Sequence, residues 1–446
     1  MLFPKVISFI LMFIGLIGIF RPTILIYLFF SVPVLFFVPH AIADLSMLEI
    51  FKIGSINIYL LDYLILILIV VFLKTLLYHR KEFFTILASP ISIICILFFF
   101  WKLFIGILSY FKGFSLPNVL RQLSIESIIF IVILIPLKSM SEENKKKFFH
   151  FGILLGVLLV LFGFLKLSVF HEVAVTSSGT QRLLAANAIE ILLLPFCYIL
   201  FYDEFYNRRP LLSTILFSIF TLCFVFTGSR SGFIVFLFVL MMWFAYSKNK
   251  MTFFWFPCWS LALCAIMGGS YFYMNVRTGT MYGDFLVRID KTLNYKDNST
   301  DDRLEKWQFS LYVLQENPIL GLGRFPVYSD SIAHENESLL KSLQTVTTRP
   351  PHNMVAAQAM HEGMLGVIIL FFLFFIIFHQ LRKMVIFDLN HYHFYNIFIL
   401  SSIIFFMFNT TFDDATGKVC CFTILGFLNE EILKYQTSSP FKVVLP

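Results

Sequence analysis

Apolar stretches separated by short polar breaks run the length of the chain, a pattern that predicts a series of membrane-spanning helices. The runs fall at about Ile58–Leu77, Phe83–Phe104, Ser124–Leu137, Phe149–Val169, Leu184–Tyr202, Leu212–Thr227, Phe233–Tyr246 and Phe253–Tyr273. Leu365–Phe378, Phe394–Phe408 and Val419–Leu433 follow. Ahead of them, Val6–Phe20 and Thr23–Val38 flank Arg21-Pro22, and each is short of the roughly 20 residues a full crossing needs. That region reads as a tight hairpin, a broken helix or one long tilted crossing. Ala41-Ile42-Ala43 has the look of a signal-peptidase site, but the apolar length before it far exceeds an h-region of about 7 to 15 residues. The segment is expected to stay uncleaved.

One break differs from all the others. From Asn275 to Asn353 the chain is polar, with charges of both signs in near balance, and it divides the sequence into residues 1–273, 274–353 and 354–446. Within it, residues 299–318 predict an amphipathic helix: Leu304, Trp307, Leu311 and Leu314 recur at helical spacing, and Ser299 with Asp302 suits a capping box. Pro318, Gly321 and Gly323 end it.

Composition sharpens the class. Hydrophobic residues make up 59% and charged residues 14% of the chain, where a soluble domain carries about 25% charge. With mean hydropathy at +0.83, the expected fold is an all-α polytopic membrane protein, its 58 phenylalanines suited to lipid-facing helices. The net charge of +7 is accounted for by basic anchoring residues rather than by nucleic-acid binding. The seven cysteines lie in or beside apolar runs without metal-ligand spacing and read as small core residues.

Basic residues also give orientation. His79-Arg80-Lys81, Lys138 with Lys145-Lys146-Lys147, Arg208-Arg209, Lys248 with Lys250, and Arg382-Lys383 occupy alternate connections, as expected of cytoplasmic loops. The connections around Arg121, His171 to Arg182, Gly228 to Ser231 and the polar stretch 275–353 then face outward, and Lys434 faces inward. With an inward N-terminus the total is about 12 transmembrane helices and one large, partly helical periplasmic loop.

Three clusters on the outward side carry candidate chemistry. Thr227-Gly228-Ser229-Arg230-Ser231-Gly232 sets an arginine among small polar residues between two spans. An arginine there can merely snorkel to headgroups, but flanking glycines and serines let backbone amides approach an anion that a guanidinium grips bidentately. In the second, Arg303 and Trp307 share a face of the loop helix, which taken alone is an ordinary amphipathic helix. The third is Pro350-Pro351-His352-Asn353, followed by Gln358, His361-Glu362-Gly363 and Gly366. A lone histidine is most often structural; here it opens an expected helix, whose positive end favours the neutral imidazole that accepts a proton.

In order and spacing, the Thr227 to Gly232 turn, Arg303 with Trp307, Glu316-Asn317-Pro318 with Gly321 and Gly323, and Pro351-His352-Asn353 with Glu362-Gly363 and Gly366 resemble the O-antigen ligase and polymerase superfamily of bacterial envelopes. The resemblance covers about Gly179 to Gly366, including Asn187. It implies an inverting, GT-C-like glycosyltransferase of the bacterial inner membrane, with its active site facing the periplasm. Such an enzyme moves a glycan from undecaprenyl pyrophosphate to an acceptor hydroxyl, on lipid A-core for a ligase or on a growing glycan for a polymerase. It further implies that Arg230 and Arg303 hold the pyrophosphate and His352 serves the acceptor, with Ser229, Ser231, Asn187, Trp307, Asn353 and Glu362 binding substrate.

Residue chemistry agrees with that assignment. A glycosyl pyrophosphate needs positive charge on its departing oxygens and a group to activate or orient the incoming hydroxyl. Asp301-Asp302 and Asp413-Asp414 are adjacent pairs without a third ligand nearby, so neither a metal nor another cofactor is expected. The alternative from another class is a glycan transporter or flippase, for which charges strung along a transmembrane path are expected.

Overall fold

The computed structural model describes residues 2–35, 49–53, 56–111, 116–168, 174–175, 181–182, 184, 188–202, 209–227, 229–246, 298–323, 353–386, 391–408 and 415–438. The expected span Phe253–Tyr273 and most of the polar stretch lie outside them. The described residues form fifteen α-helices: α1 (Leu2–Gly18), α2 (Pro22–Leu35), α3 (Leu60–Tyr78), α4 (Arg80–Leu87), α5 (Pro90–Phe111), α6 (Leu116–Glu126), α7 (Ile131–Lys138), α8 (Glu142–Ser168), α9 (Ala188–Phe201), α10 (Pro210–Phe226), α11 (Arg230–Tyr246), α12 (Asn298–Glu316), α13 (Met354–Ile386), α14 (Tyr392–Phe408) and α15 (Ala415–Ser438). Among the described residues, five segments are long and apolar enough to cross a membrane: Leu60–Tyr78, Pro90–Phe111, Val119–Lys138, Glu142–Lys166 and Met354–Val385. Six shorter apolar helices accompany them. The chain is a helical, multi-pass membrane protein.

Several boundaries differ from the hydropathy reading for identifiable reasons. The run Phe83–Phe104 is cut into α4 and α5 because Pro90 cannot continue a helix from Ala88-Ser89. Ser89 then caps α5, its hydroxyl accepting the Ser92 N–H at 3.2 Å, with proline at the favoured first position. Residues 2–35 are two helices broken at Ile19–Arg21 rather than one continuous helix, and Lys74 Nζ donates to the Ile19 carbonyl at the break. Two small antiparallel hairpins, Glu49–Ile53 with Ile56–Tyr59 and Ala174–Val175 with Gln181–Arg182, depart from the all-α expectation.

Phenylalanine is not confined to the lipid face. Phe149 is fully buried and meets Tyr198, Tyr202, Phe394 and Phe427 with ring centroids 4.8 to 5.5 Å apart. Such offset and edge-to-face contacts each add about 0.5–1.5 kcal/mol beyond area burial, so the aromatic content also glues helix to helix. Cys95, Cys197, Cys223, Cys420 and Cys421 are buried and free, in keeping with a packing role.

The bundle has two chemically distinct ends. At one, buried Lys145 of α8 pairs with Glu142 (3.1 Å), Glu430 (3.8 Å) and Glu431, and Lys434 pairs with Glu430 (2.6 Å). There Tyr202 donates to Glu142 at 3.3 Å and stacks on His391, which sits just before α14. Basic residues of the expected inner loops, Lys138 and Lys145 to Lys147, gather at this end. At the other end, Lys418 near the start of α15 pairs with buried Glu126 at 2.8 Å, while Asp62 accepts the Ser124 hydroxyl at 2.6 Å.

Candidate functional site

The Ser229 turn lies at the end away from Lys145. Ser229 caps α11: its hydroxyl accepts the Gly232 N–H at 3.3 Å and is 2.9 Å from the Ser231 hydroxyl, and its carbonyl accepts from Phe233. Both serines are buried. Gly232 allows the turn to press on α9, because a Cβ there would sit 2.2 Å from Ile189 Cδ1. The start of α11, opened by Arg230, is thereby held beside the start of α9, immediately after Asn187 in sequence.

A second junction joins the segment after α12 to the top of α13. Gly363 has φ 65° and ψ −163°, which breaks α13 and releases backbone groups on both sides of the break. The loop Pro318 to Gly323 satisfies them. Leu322 and Gly323 donate to the Met360 and His361 carbonyls, each at 2.9 Å, while Met364 donates to the Pro318 carbonyl at 2.8 Å. His361 Nδ1 is also 3.2 Å from the Gly323 carbonyl oxygen. Such close approach requires glycine on both partners. A Cβ on Gly321 would lie 2.7 Å from the amides of Glu362 and Gly363, and one on Gly363 would lie 2.4 Å from the Ile319 carbonyl. Gly321 and Gly323 also have positive φ. The spacing of glycines in both motifs is thus the spacing of one backbone-to-backbone joint.

Substitution at this joint should therefore be severe. Gly363→Ala places a side chain in a region of backbone space essentially reserved for glycine, a strain of about 1–3 kcal/mol before the clash with Ile319 is counted. A clear fall in Tm is expected by thermal unfolding in detergent. Gly152→Ala, whose added Cβ meets its nearest neighbour at an ordinary 3.6 Å inside α8, should leave Tm unchanged or raise it.

Beneath the joint lies a buried ion pair. Lys102 of α5 contacts Glu362 and donates to Gln358 Oε1 at 2.7 Å, with its ammonium 4.7 Å from the centre of the Phe98 ring. Gly366 makes room for Glu362 and Trp101, since a Cβ there would meet Glu362 Cβ at 2.4 Å.

The residues singled out in the sequence distribute over these two junctions. Asn353 caps α13, its side-chain oxygen accepting the Ala356 N–H at 3.0 Å. Arg230 opens α11 and Arg303 lies in the second turn of α12. His352, directly ahead of Asn353, and Asn187 lie outside the described residues. Trp307 is half-buried, and its indole N–H is a buried donor with no hydrogen-bond partner among the described residues. α12 begins at Asn298, one residue ahead of the expected cap Ser299; Phe309, Ser310 and Val313 are buried, and of the expected stripe Trp307 and Leu314 are half-buried while Leu311 is exposed. Ser229, Ser231, Asn353 and Glu362 all have partners within the chain. The described structure therefore gives them framework contacts in addition to any expected toward substrate.

Sequence reasoning missed Lys102. A lone lysine inside the run Phe98 to Phe104 is the signal that could have found it, because an ionisable residue at that depth demands a buried partner.

All of these features sit at one end of a helical membrane bundle: α9 runs from Ala188 to the Lys145 end at Tyr202, and α13 descends from Asn353 toward His391. A multi-pass membrane protein with its polar apparatus gathered at one end is the class so defined. A family model described as O-antigen ligase matches residues 215–371, a span that contains the Ser229 turn, α12 and the Gly363 joint. This match supports the resemblance to the O-antigen ligase and polymerase superfamily over that part of the chain. No curated protein matches the chain.

Proposed function

We propose that this protein is an O-antigen ligase-like glycosyltransferase of the bacterial inner membrane, with about 12 crossings and with residues 274–353 forming a periplasmic loop between the helical segments 1–273 and 354–446. It takes a polysaccharide from undecaprenyl pyrophosphate and joins it to an acceptor hydroxyl of lipid A-core. The observation that carries this reading is that the family match spans the arginine-bearing turn, the arginine-bearing loop helix and the segment after His352, the last two being joined through one glycine-built contact.

In this reading the acceptor oxygen attacks the anomeric carbon opposite the bond to pyrophosphate. The sugar–oxygen bond breaks as the new glycosidic bond forms, which inverts the anomeric configuration. Arg230 and Arg303 bind the charge that develops on the departing pyrophosphate, the requirement that a metal meets in other transferases. His352 takes the proton of the acceptor hydroxyl or orients that hydroxyl. Trp307 offers an aromatic surface and a hydrogen-bond donor at the same loop helix, and Asn187 directly precedes α9 in sequence. Ser229, Ser231, Asn353 and Glu362 hold the backbone on which these groups stand.

Polymerisation of repeat units on the same carrier needs the same chemistry and is the nearest alternative. A flippase is less well supported: the buried ion pairs among the described residues, Lys102 with Glu362, Lys418 with Glu126 and Lys145 with Glu430, cluster toward the two ends rather than along a path through the bundle. A deletion strain tests the assignment. Loss of all attached glycan with long carrier-linked chains accumulating is expected of a ligase; attachment of a single repeat unit would instead identify a polymerase.

A further inference from the structure

We infer that Lys102 is a positioning residue for the acceptor side of the site, acting through Gln358 and Glu362 on the helical segment that follows His352. The inference rests on the transfer reading of His352 given above.

An ion pair with side chains 1% and 0% exposed, set within apolar helices, is a poor source of stability, because desolvating both charges offsets most of their attraction. Its geometry points to a different use. Gln358 and Glu362 are one turn apart and share a face of α13, and Lys102 reaches both with one ammonium. Both residues lie above the Gly363 break, in the short segment 354–362 that begins at the Asn353 cap.

That segment cannot take its direction from the rest of α13. At the break, Met364 donates to Pro318, and the Met360 and His361 carbonyls accept from Leu322 and Gly323, so the helix's own hydrogen bonds no longer fix the upper part against the lower. Two contacts replace them. The glycine joint ties the segment to the loop after α12, and Lys102 ties it to α5, a helix that belongs to neither motif-bearing part of the chain. The ammonium also packs against Phe98 on its own helix, which fixes where the charge is presented. His352 immediately precedes the Asn353 cap of this segment in sequence, so the segment's direction sets the point from which the chain carrying His352 departs. Misplacement by about 1 Å far from the reacting atoms can lower a rate on the order of 10²-fold.

A purely structural role and a positioning role separate when charge is removed in balance. Lys102→Met alone strands the Glu362 carboxylate and should lower both Tm and activity. The double variant Lys102→Met with Glu362→Gln removes both charges, and its Tm should return to near that of the wild type. Positioning predicts that kcat of this double variant remains about 10²-fold low while KM for an undecaprenyl pyrophosphate-linked glycan is unchanged. Recovery of kcat together with Tm would overturn the inference. Gln358→Leu keeps both charges and removes one anchor; it should lower kcat about tenfold at unaltered Tm, and wild-type kcat there would overturn the inference even if the double variant failed to fold. Transfer by the wild type in the same assay keeps the functional reading intact whichever way the variants fall. Absence of wild-type transfer would defeat that reading and this inference with it.

Discussion

His352→Ala is expected to lose nearly all glycan transfer while still binding the undecaprenyl pyrophosphate-linked donor. Positioned proton transfer contributes roughly 10²- to 10⁴-fold, so the fall should lie in that range if the imidazole is the base. In sequence His352 follows Pro350 and Pro351, which restrict backbone freedom, and directly precedes Asn353, whose side chain caps the start of α13. A second substitution divides two roles. If His352 accepts the proton, His352→Gln should be nearly as poor as alanine, and the wild-type rate should fall on the acid side, because a protonated imidazole cannot accept a proton. If it only orients the acceptor, glutamine should recover a substantial part of the activity and the acid limb should be absent. Normal transfer by His352→Ala would remove the residue from the site.

Arg230→Ala and Arg303→Ala should be comparably damaging, because each removes positive charge from a departing pyrophosphate. Loss of one preorganised donor to developing negative charge is worth about 10²- to 10³-fold in kcat. Lysine should recover little at either position, since a point charge on a flexible stem does not reproduce the planar, bidentate grip of a guanidinium on phosphate. Both proteins should still insert and fold, as judged by detergent-resistant Tm, because Arg230 opens a helix that Ser229 caps and Arg303 lies in a helix whose buried face is Phe309, Ser310 and Val313. Full activity of either lysine variant would reduce that arginine to a membrane anchor.

Hydropathy made the helical, membrane-embedded character legible because burial in lipid and burial in a helical bundle ask for the same apolar residues. It could not see boundaries set by something other than apolarity. Pro90 divides a run that reads as continuous, and α13 extends upward through Gln358, His361 and Glu362 because tertiary partners satisfy polar atoms that look like a helix end in sequence. The loop helix was visible, but its packed face only in part: Trp307 and Leu314 of the expected stripe are half-buried, whereas Leu311 is exposed and Phe309 and Val313 are buried. Glycines at 321, 323, 363 and 366 were visible as a pattern and mute as to cause. Only the structure shows that two of them face each other across a broken helix. Lys102 illustrates the limit most plainly, since its partner is 260 residues away in the chain and no local periodicity links the two.

The central claim is that a new glycosidic bond is made at the expense of a carrier pyrophosphate, with arginines meeting the charge of the leaving group. The direct measurement is made on purified wild-type protein in liposomes, supplied with a labelled undecaprenyl pyrophosphate-linked polysaccharide and lipid A-core, in the presence of EDTA. The expected result is labelled, inverted glycan attached to lipid A-core, with undecaprenyl pyrophosphate released in equal amount and no change on chelation. Intact donor carried from one leaflet to the other with no bond made, or transfer that depends on an added divalent cation, would contradict it.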